Sequence, residues 1–190
     1  MNFVSIDGVV QAPLSADEDR DGGFAQGGWV PPYSDDTVNE FMRKATVGAA
    51  GMLLGRRSYE ILTAAWAHAD DSEPAVAAMN RMPKYVVTSS AGDLEWQNSH
   101  RLDADLAPAV GDLKARTDGD LVVFGAATLI QGLAEHDLVD EYRLLLFPIV
   151  LGSGKRMFGD RGHPARFTLT DTVLSPSGVV ILTYNRDTAA

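Results

Sequence analysis

The sequence predicts an α/β fold in one domain, residues 1–190. It should have a mostly parallel, mixed sheet with helices on both faces and a C-terminal antiparallel hairpin. The first observation is that short apolar strands alternate with amphipathic helical segments through most of the chain. The second is that the last two predicted strands, 167–173 and 179–184, are joined by the turn Pro176-Ser177-Gly178. The third is that no repeat, linker or low-complexity stretch divides the sequence.

Composition excludes several classes of protein. Of the 190 residues, 45% are hydrophobic and 22% charged, which is typical of a globular domain. There are no cysteines, which excludes a disulfide scaffold, a thiolate nucleophile and a cysteine-built metal site. The net charge of −10 argues against a partner made of nucleic acid or anionic membrane. The apolar runs are too short to span a bilayer, so we expect a soluble, cytoplasmic protein.

The chain opens on the strand-forming residues Phe3, Val4 and Ile6, followed by the turn signal Asp7-Gly8. A start at the edge of a core strand is compatible with a late start assignment, which would leave a few N-terminal residues missing. The segment MNFVSIDG lacks a basic region followed by an apolar block, so we predict no signal peptide.

Residues 12–33 form a long polar stretch with no periodic pattern. It carries an acidic cluster within 17–21 and glycine pairs that flank Phe24 and Trp29. Stretches of this length inside a compact domain are usually functional or disordered. Two interpretations stay open: a solvated surface loop, or a mobile lid that carries aromatic residues.

A first helix is predicted after this loop. Its apolar residues are spaced i, i+3, i+4 and i+7, at Val38, Phe41, Met42 and Ala45. Ser34 or Asp35 can cap its N-terminus.

The rest of the chain alternates between strands and helices. The predicted strands lie at 52–54, 85–88, 121–124 and 140–150. Four helices are predicted here. The first follows Gly55, the second spans 73–82, the third contains Leu102, Leu106, Val110 and Leu113, and the fourth spans 126–134. Continuous apolar runs as strands, between helices with one apolar face, are typical of a parallel sheet.

Three of the buried strands end in small residues. The endings are Leu54-Gly55-Arg56-Arg57-Ser58, Thr88-Ser89-Ser90 and Phe124-Gly125-Ala126-Ala127-Thr128. Open α/β sheets bind ligands outside the carboxyl ends of their strands, and two of these endings lead into helix N-termini, which favour anions. One such turn is commonly only structural, but three in one sheet favour a dinucleotide. The pair Arg56-Arg57 is placed to hold a phosphate, and a 2′-phosphate distinguishes NADPH from NADH.

Other nucleotide and catalytic motifs fail when their spacing is checked. The segment Gly152-Ser153-Gly154-Lys155-Arg156 is neither a P-loop nor a Rossmann fingerprint, because Ile149 and Met157 stand where those motifs need glycine. The histidines are His68, His100, His136 and His163. They lack metal-ligand spacing, so we predict no metal site. No Gly-x-Ser-x-Gly elbow supports a hydrolase.

Four segments, taken in order together with the closing hairpin, resemble the dihydrofolate-reductase-like superfamily. They are Ser5-Ile6-Asp7-Gly8-Val9, Leu54-Gly55-Arg56-Arg57-Ser58-Tyr59, Val123-Phe124-Gly125-Ala126, and a block from Leu138-Val139-Asp140-Glu141 to Phe147-Pro148-Ile149-Val150-Leu151-Gly152-Ser153-Gly154. The chain is similar to the bacterial branch that includes the C-terminal reductase domain of the bifunctional riboflavin-biosynthesis deaminase/reductase. The resemblance implies a three-layer dihydrofolate-reductase-like fold with a mixed sheet of about eight strands.

The resemblance also implies an NADPH-dependent oxidoreductase and its cofactor contacts. The adenosine phosphate side maps onto Gly55, Arg56, Arg57 and Ser58, then onto Ser89 and Ser90, and the pyrophosphate maps onto Gly125, Ala126, Ala127 and Thr128. Residues 12–33 resemble the family's mobile active-site loop. Asp7 and Trp29 would then lie on the substrate and lid side, with Trp29 over the nicotinamide.

The substrate and the proton source follow from the same resemblance. An acidic residue of the first helix delivers the proton in dihydrofolate reductases, and here Asp36 and Glu40 are the candidates, with Asp35 as a further candidate or only the cap. The implied reaction is hydride transfer to a pteridine-like or ribosylaminopyrimidine-like small molecule. The alternative is a non-catalytic protein that binds a nucleotide or flavin on the same fold.

A homodimer is also predicted. Related reductase domains pair, and the apolar residues Met157-Phe158, which follow the strand at 140–150, can lie against a partner. The alternative is that both side chains pack into their own core.

Overall fold

The structure is a computed structural model that describes residues 1–102, 105–159 and 164–187. Its strands are β1 (Asn2–Ser5), β2 (Gly51–Gly55), β3 (Lys84–Val87), β4 (Ser99–Leu102), β5 (Leu121–Val122), β6 (Glu141–Phe147), β7 (Phe167–Leu174) and β8 (Val180–Arg186). Its α-helices are α1 (Asp36–Val47), α2 (Arg56–Trp66), α3 (Pro74–Arg81), α4 (Leu106–Arg116) and α5 (Ala127–Glu135). Two 3₁₀ turns, Asp21–Gly23 and Pro31–Tyr33, lie within the long loop.

The strands of the described residues form two sheets of four. One sheet has the order β4-β3-β2-β5 and is parallel throughout. The other has the order β1-β6-β8-β7, with β1 parallel to β6 and the remaining pairs antiparallel. The two sheets meet where the amino group of Met1 donates a hydrogen bond to the carbonyl oxygen of Val123, 2.9 Å away. The predicted α/β class and the C-terminal hairpin are confirmed.

The parallel sheet has a buried cluster on each face, as the prediction of helices on both faces requires. Met52 and Leu54 of β2 are buried with Tyr59 of α2 and Met79 of α3. Leu53, between them, is buried in the cluster formed with α4 and α5. Consecutive strand residues alternate between the two faces, so a strand covered on both sides has a continuous apolar sequence.

The second sheet packs against α1 and the long loop. Leu145 and Phe147 of β6 are buried with Val38 of α1 and with Trp29. The helix begins as predicted, because Oδ1 of Asp35 accepts a hydrogen bond from the backbone N–H of Val38 at 3.0 Å.

The prediction of a helix that includes Leu102 is wrong. Leu102 ends β4, which pairs in parallel with β3, and α4 begins only at Leu106. Leu102, Val110 and Leu113 nevertheless enter one buried cluster, so their spacing reflects a shared core and not a shared helix. Leu102 is the one apolar residue of β4, which is why the sequence does not indicate a strand there.

Met157 and Phe158 lie in different surroundings. Met157 is buried in a cluster with Val4 and Tyr142, which corresponds to the alternative of packing into its own core. Phe158 is 56% exposed. The homodimer stays a prediction.

Two further features concern only the part of the chain that the structure describes. No helix there is long and apolar enough to cross a bilayer. No group of three or more His, Cys, Asp or Glu side chains there is arranged to hold a metal ion. His163 lies outside the described residues.

Candidate functional site

A cavity of about 750 Å³ opens along the carboxyl ends of the parallel strands. Its walls come from the start of β1, the long loop, α1 and the first turns of α2 and α5. The volume is typical of a small-molecule site, and the position is the one at which open α/β sheets bind ligands.

Two helices begin at this cavity, and no side chain accepts a hydrogen bond from their first backbone N–H groups. The N-terminus of α2, after Gly55, and that of α5, after Ala126, both lack a side-chain cap, whereas Asp35 caps α1. Uncapped N–H groups at the positive end of a helix dipole favour an anion. Residues 55–58 and 125–128 all line the cavity, so the structure brings together eight of the predicted cofactor residues.

The turn before α5 is left-handed at two successive residues, with φ of 66° at Gly125 and 64° at Ala126. A left-handed conformation costs a residue with a β-carbon about 1 kcal/mol, which favours glycine at the first position. A β-carbon added to Gly125 would meet no atom within 4 Å. The space beside this backbone is therefore open, as the close approach of a phosphate requires.

The adjacent arginines point to different neighbours. Nε of Arg56 donates to Oε1 of Glu60 at 2.6 Å, and Nη2 of Arg57 donates to Oδ1 of Asp19 at 2.6 Å. In this arrangement the two guanidinium groups do not meet, and their joint contact with a phosphate stays a prediction. The two groups diverge because consecutive residues of a helix are rotated by about 100° and face different parts of the molecule.

The third small-residue ending lies beside the cavity. Val87, the last residue of β3, lines the cavity, whereas Ser89 and Ser90 are exposed and do not. Oγ of Ser90 accepts a hydrogen bond from the N–H of Gly92 at 3.3 Å. Both serines thus lie on the irregular segment that follows β3, next to the cavity, and their role in cofactor binding stays a prediction.

Arg101 is a basic residue of this region that sequence reasoning missed. It lies on β4 in register with Val86, and its Nη2 donates to the carbonyl oxygen of Gly92 at 2.7 Å. The signal that could have found it is a cation near the end of a strand. That signal was hidden because β4 itself was not predicted.

The long loop is fastened to the cavity by Gln11 and Lys155. Nε2 of Gln11 donates to the carbonyl oxygens of Asp19 and Asp21 at 3.1 and 3.0 Å, and its Oε1 accepts from the N–H of Lys155 at 2.9 Å. Nζ of Lys155 pairs with the carboxylates of Asp19 and Asp21, each at 2.9 Å. The acidic cluster is therefore partly engaged in binding the cations of the cavity, Arg57 among them.

Two carboxyl groups of this loop line the cavity and differ in pKa. Burial alone would raise the pKa of Asp19, but the hydrogen bond and charge of Lys155 and the charge of Arg57 hold that pKa below its usual value. Burial raises the pKa of Glu18, although its carboxylate accepts hydrogen bonds from the N–H groups of Leu14 and Ser15. The two carboxyl groups therefore differ in the direction of their pKa shifts, upward for Glu18 and downward for Asp19.

Helix α1 presents Asn39 and Arg43 to the cavity, whereas Asp36 and Glu40 are not among the lining residues. Asp36 is exposed in the first turn of the helix. Glu40 accepts hydrogen bonds from Nε and Nη2 of Arg43 at 2.7 and 2.6 Å, and these bonds lower its pKa. The catalytic role of Asp36 and Glu40 stays a prediction that this geometry does not favour.

Asp7 also lies outside the cavity wall. Its carboxylate accepts hydrogen bonds from the Ser5 hydroxyl at 2.7 Å and from the N–H groups of Leu151 and Gly152 at 3.1 and 2.9 Å. These hydrogen bonds lower the pKa of Asp7 to about 2. The carboxylate ties the end of β1 to the turn after β6, so a contact with substrate stays a prediction.

Trp29 is 4% exposed, and its indole N–H donates to the carbonyl oxygen of Gln11 at 2.9 Å. It is not among the residues that line the cavity. The apolar indole ring is buried against α1 and β6, and its expected place over the nicotinamide stays a prediction that this burial does not favour. Trp29 anchors the long loop in the core.

Comparison with known proteins adds the family. Residues 1–181 match the family model described as the RibD C-terminal domain. Among curated proteins, the uncharacterized protein YyaP of Bacillus subtilis strain 168 is 31% identical over 102 residues, which are 54% of this chain and 54% of that protein. The chain thus spans about half the length of this curated relative.

Solved structures share the fold at low sequence identity. A putative riboflavin biosynthesis protein from Shewanella sp. PV-4 has a TM-score of 0.67 at 18% identity, over 98% of this chain and 96% of that one. Dihydrofolate reductase from Enterococcus faecalis, complexed with NADP(H) and RAB-propyl, has a TM-score of 0.60 at 14% identity, over 97% and 93%. These likenesses confirm the dihydrofolate-reductase-like fold.

Proposed function

This chain belongs to the RibD C-terminal domain family, and on that premise we propose that it is an NADPH-dependent reductase of a pteridine-like or ribosylaminopyrimidine-like small molecule. The observation that carries the proposal is one cavity at which two uncapped helices, α2 and α5, begin, with Arg56 and Arg57 in the first turn of α2. NADPH carries a pyrophosphate and a separate 2′-phosphate, so it needs more than one anion site. Two structural neighbours, described as a putative riboflavin biosynthesis protein and a dihydrofolate reductase complexed with NADP(H), support the same proposal.

The residues present fit this cofactor. The N–H groups of the turn at 125–128 would hold the pyrophosphate, and those at 55–58 would hold the adenosine side. When bound, NADPH supplies a hydride. Phe3, Val30 and Met42 line the cavity and would exclude water from the ring that is reduced.

Reduction of a C=N or C=O group also requires a proton. Glu18 meets this need better than Asp36 or Glu40, because it lines the cavity and burial raises its pKa. We therefore assign proton delivery to Glu18.

Fluorescence titration with NADPH tests the proposal, followed by assays of NADPH oxidation with dihydrofolate, dihydropterins and the ribosylaminouracil phosphate. We expect saturable binding of NADPH and its oxidation with at least one of these molecules. Binding without oxidation would favour the non-catalytic nucleotide-binding alternative. Absence of NADPH binding would overturn both the reductase and the placement of the cofactor.

The same assay separates the candidate proton donors. Glu18→Gln should keep NADPH binding and lower the rate of a single turnover by about 10²- to 10⁴-fold. Glu40→Gln, the matched control, removes one carboxylate outside the cavity wall and should leave that rate unchanged. A slower turnover in Glu40→Gln, with an unchanged rate in Glu18→Gln, would assign proton delivery to Glu40 of α1 instead.

A further inference from the structure

Helices α1, α2 and α3 form the part of the cavity wall that lies beyond the proposed cofactor contacts. Helix α2 begins at those contacts and runs into this part of the wall, so Leu62 and Trp66 lie about 8 and about 14 Å beyond Arg57 along the helix axis. Helix α3 packs against both α1 and α2. We define the helical wall as four of the apolar lining residues on these helices, Met42, Leu62, Trp66 and Met79.

The protein itself does not fully cover the apolar side chains of the helical wall. Leu62 and Trp66 are partly buried against the cluster that contains Tyr59 and Met79, and Met42 is partly buried against the cluster on the α1 side. Because these residues also line the cavity, apolar surface is available to a ligand. Removal of such surface from water is favourable in proportion to its area. The helical wall therefore fits an apolar substituent.

The cation beside the helical wall is already paired. Arg43 of α1 lines the cavity, and its Nε and Nη2 donate to the carboxylate of Glu40 at 2.7 and 2.6 Å. The hydrogen bonds and charge of Glu40, together with the charge of Glu73, raise the pKa of Arg43. Lys44 also pairs with Glu40, but Lys44 is not among the lining residues. Two carboxylates therefore surround the guanidinium group that an anionic substituent would need.

The helix N-termini differ between the two ends of the cavity. At the cofactor end, α2 and α5 begin without a side-chain cap, so their N–H groups favour an anion. At the other end, carboxylates already occupy this position. Oδ1 of Asp35 accepts from the N–H of Val38 at the start of α1, and Oε1 of Glu73 accepts from the N–H of Ala75 at the start of α3. The cavity thus favours anions at one end only.

An anionic substituent at the helical wall would meet a free-energy cost. It would lose water, and it would have to displace Glu40 from Arg43 while it lies near Glu73. A charged group that leaves water without a partner is strongly disfavoured. The net charge of −10 adds a long-range repulsion. A neutral, apolar substituent meets none of these costs.

We propose that the substrate is a neutral, pteridine-like heterocycle whose apolar substituent lies against Leu62 and Trp66, and that the protein rejects substrates with an anionic substituent. The inference rests on the proposed function. Of its two substrate classes, it selects the pteridine-like molecule over the phosphorylated ribosylaminopyrimidine. It also makes Trp66 a specificity-determining residue.

NADPH oxidation by the wild-type protein tests the inference with three dihydropterins. They carry a methyl, a propyl or a carboxyethyl group on the carbon that accepts the hydride, and the last two groups match in size but differ in charge. The kcat/KM of the propyl compound should exceed that of the methyl compound by about ten-fold or more. It should exceed that of the carboxyethyl compound by about one-hundred-fold or more.

Variants of Trp66 locate the effect at the helical wall. Trp66→Ala removes apolar surface and should bring the propyl-to-methyl ratio of kcat/KM close to one, whereas Trp66→Phe keeps an apolar ring and should retain most of this ratio. Phe158→Ala, the matched control, removes an aromatic side chain that does not line this cavity and should keep the wild-type ratio. Thermal melting shows whether each variant folds. If Trp66→Ala does not fold, the wild-type series and Trp66→Phe decide.

The outcomes separate the inference from the function on which it rests. A wild-type protein that does not bind NADPH, or that oxidises it with none of these compounds, overturns the reductase. A carboxyethyl compound or ribosylaminouracil phosphate that reacts as well as the propyl compound overturns the inference and leaves the reductase standing. An unchanged propyl-to-methyl ratio in folded Trp66→Ala also overturns the inference, because the substituent then lies elsewhere.

Discussion

The two sides of the cavity are held in place by different means. The sheet side, residues 55–58 and 125–128, continues strands that are fixed by parallel hydrogen bonding and by buried clusters on both faces. The loop side, residues 11–19 with Lys155, is held by the hydrogen bonds of Gln11 and the ion pairs of Asp19. Moving the sheet side would break the core. The polar contacts of the loop side can instead be exchanged for contacts with a ligand.

A lysine on each side of this comparison has different partners. Lys84, at the start of β3, is fully buried, and its Nζ donates to the neutral carbonyl oxygens of Asn80 and Gln97 at 2.8 and 2.9 Å. Burial lowers its pKa to about 8. On the loop side, burial alone would lower the pKa of Lys155, but hydrogen bonds and charges of Asp19 and Asp21 raise it. We therefore expect the stability that the sheet contributes to depend on alkaline pH. The contacts of the loop side should instead weaken as salt is added.

The largest expected effect comes from Trp29→Ala, which removes the apolar anchor of the loop side. Trp29 is 4% exposed and meets the ring of Phe147 edge-on at a centroid distance of 5.4 Å. Truncation of a buried tryptophan costs about 3–5 kcal/mol. Chemical unfolding should show this loss, and limited proteolysis should cut the long loop first.

The control for this change is Phe158→Ala. Phe158 is 56% exposed, so its truncation should cost less than about 1 kcal/mol. If the two variants lose equal stability, or if the loop of Trp29→Ala is no easier to cleave, then Trp29 does not anchor the loop.

Lys84 gives the parallel sheet an alkaline dependence. Its pKa is about 8 in the folded protein against an ordinary value of 10.5. Below the lower value Lys84 is protonated in both states. Between the two values the unfolded chain holds a proton that the folded protein has lost, so the free energy of unfolding rises with pH, by up to about 3 kcal/mol.

Urea unfolding at about pH 7.5 and about pH 10 measures this rise, which follows from the proton linkage of one group. Lys84→Met cannot titrate and should lack it. Other groups titrate in this range in both proteins. The change of the unfolding free energy with pH is therefore compared between the wild-type protein and Lys84→Met, and the difference isolates Lys84. Equal slopes would contradict the prediction.

The sheet side could be predicted from the sequence because its signals are local. Gly55 and Gly125 each end an apolar run and precede a helical pattern, and both turns line one cavity. The loop side could not be predicted, since Gln11 and Asp19 contact Lys155, more than a hundred residues away in the sequence. The family resemblance points to Asp36 and Glu40 of the first helix as proton donors. Glu18 is not among these candidates, because the sequence does not reveal which carboxylates line the cavity.

The smallest expected effect, that of Asp19→Asn, concerns the exchange of contacts on the loop side. Asp19 binds Arg57 at 2.6 Å and Lys155 at 2.9 Å. A phosphate that binds Arg57 has to replace this carboxylate, so its removal should tighten the binding of NADPH. Arg57 is 58% and Lys155 36% exposed. Ion pairs in such positions contribute at most about 1 kcal/mol, so the gain in affinity should be about five-fold or less.

Asp17→Asn is the matched control, because it removes a carboxylate from the same loop where Asp17 pairs with Arg20 and not with the cavity. Its NADPH affinity should equal that of the wild-type protein. Fluorescence titration of the two variants then distinguishes two roles for the loop side. Tighter binding by Asp19→Asn means that the carboxylate competes with a phosphate for Arg57. Weaker binding means that Asp19 holds Arg57 and Lys155 where the ligand needs them, and the loop side would then be as fixed a part of the cavity as the sheet side.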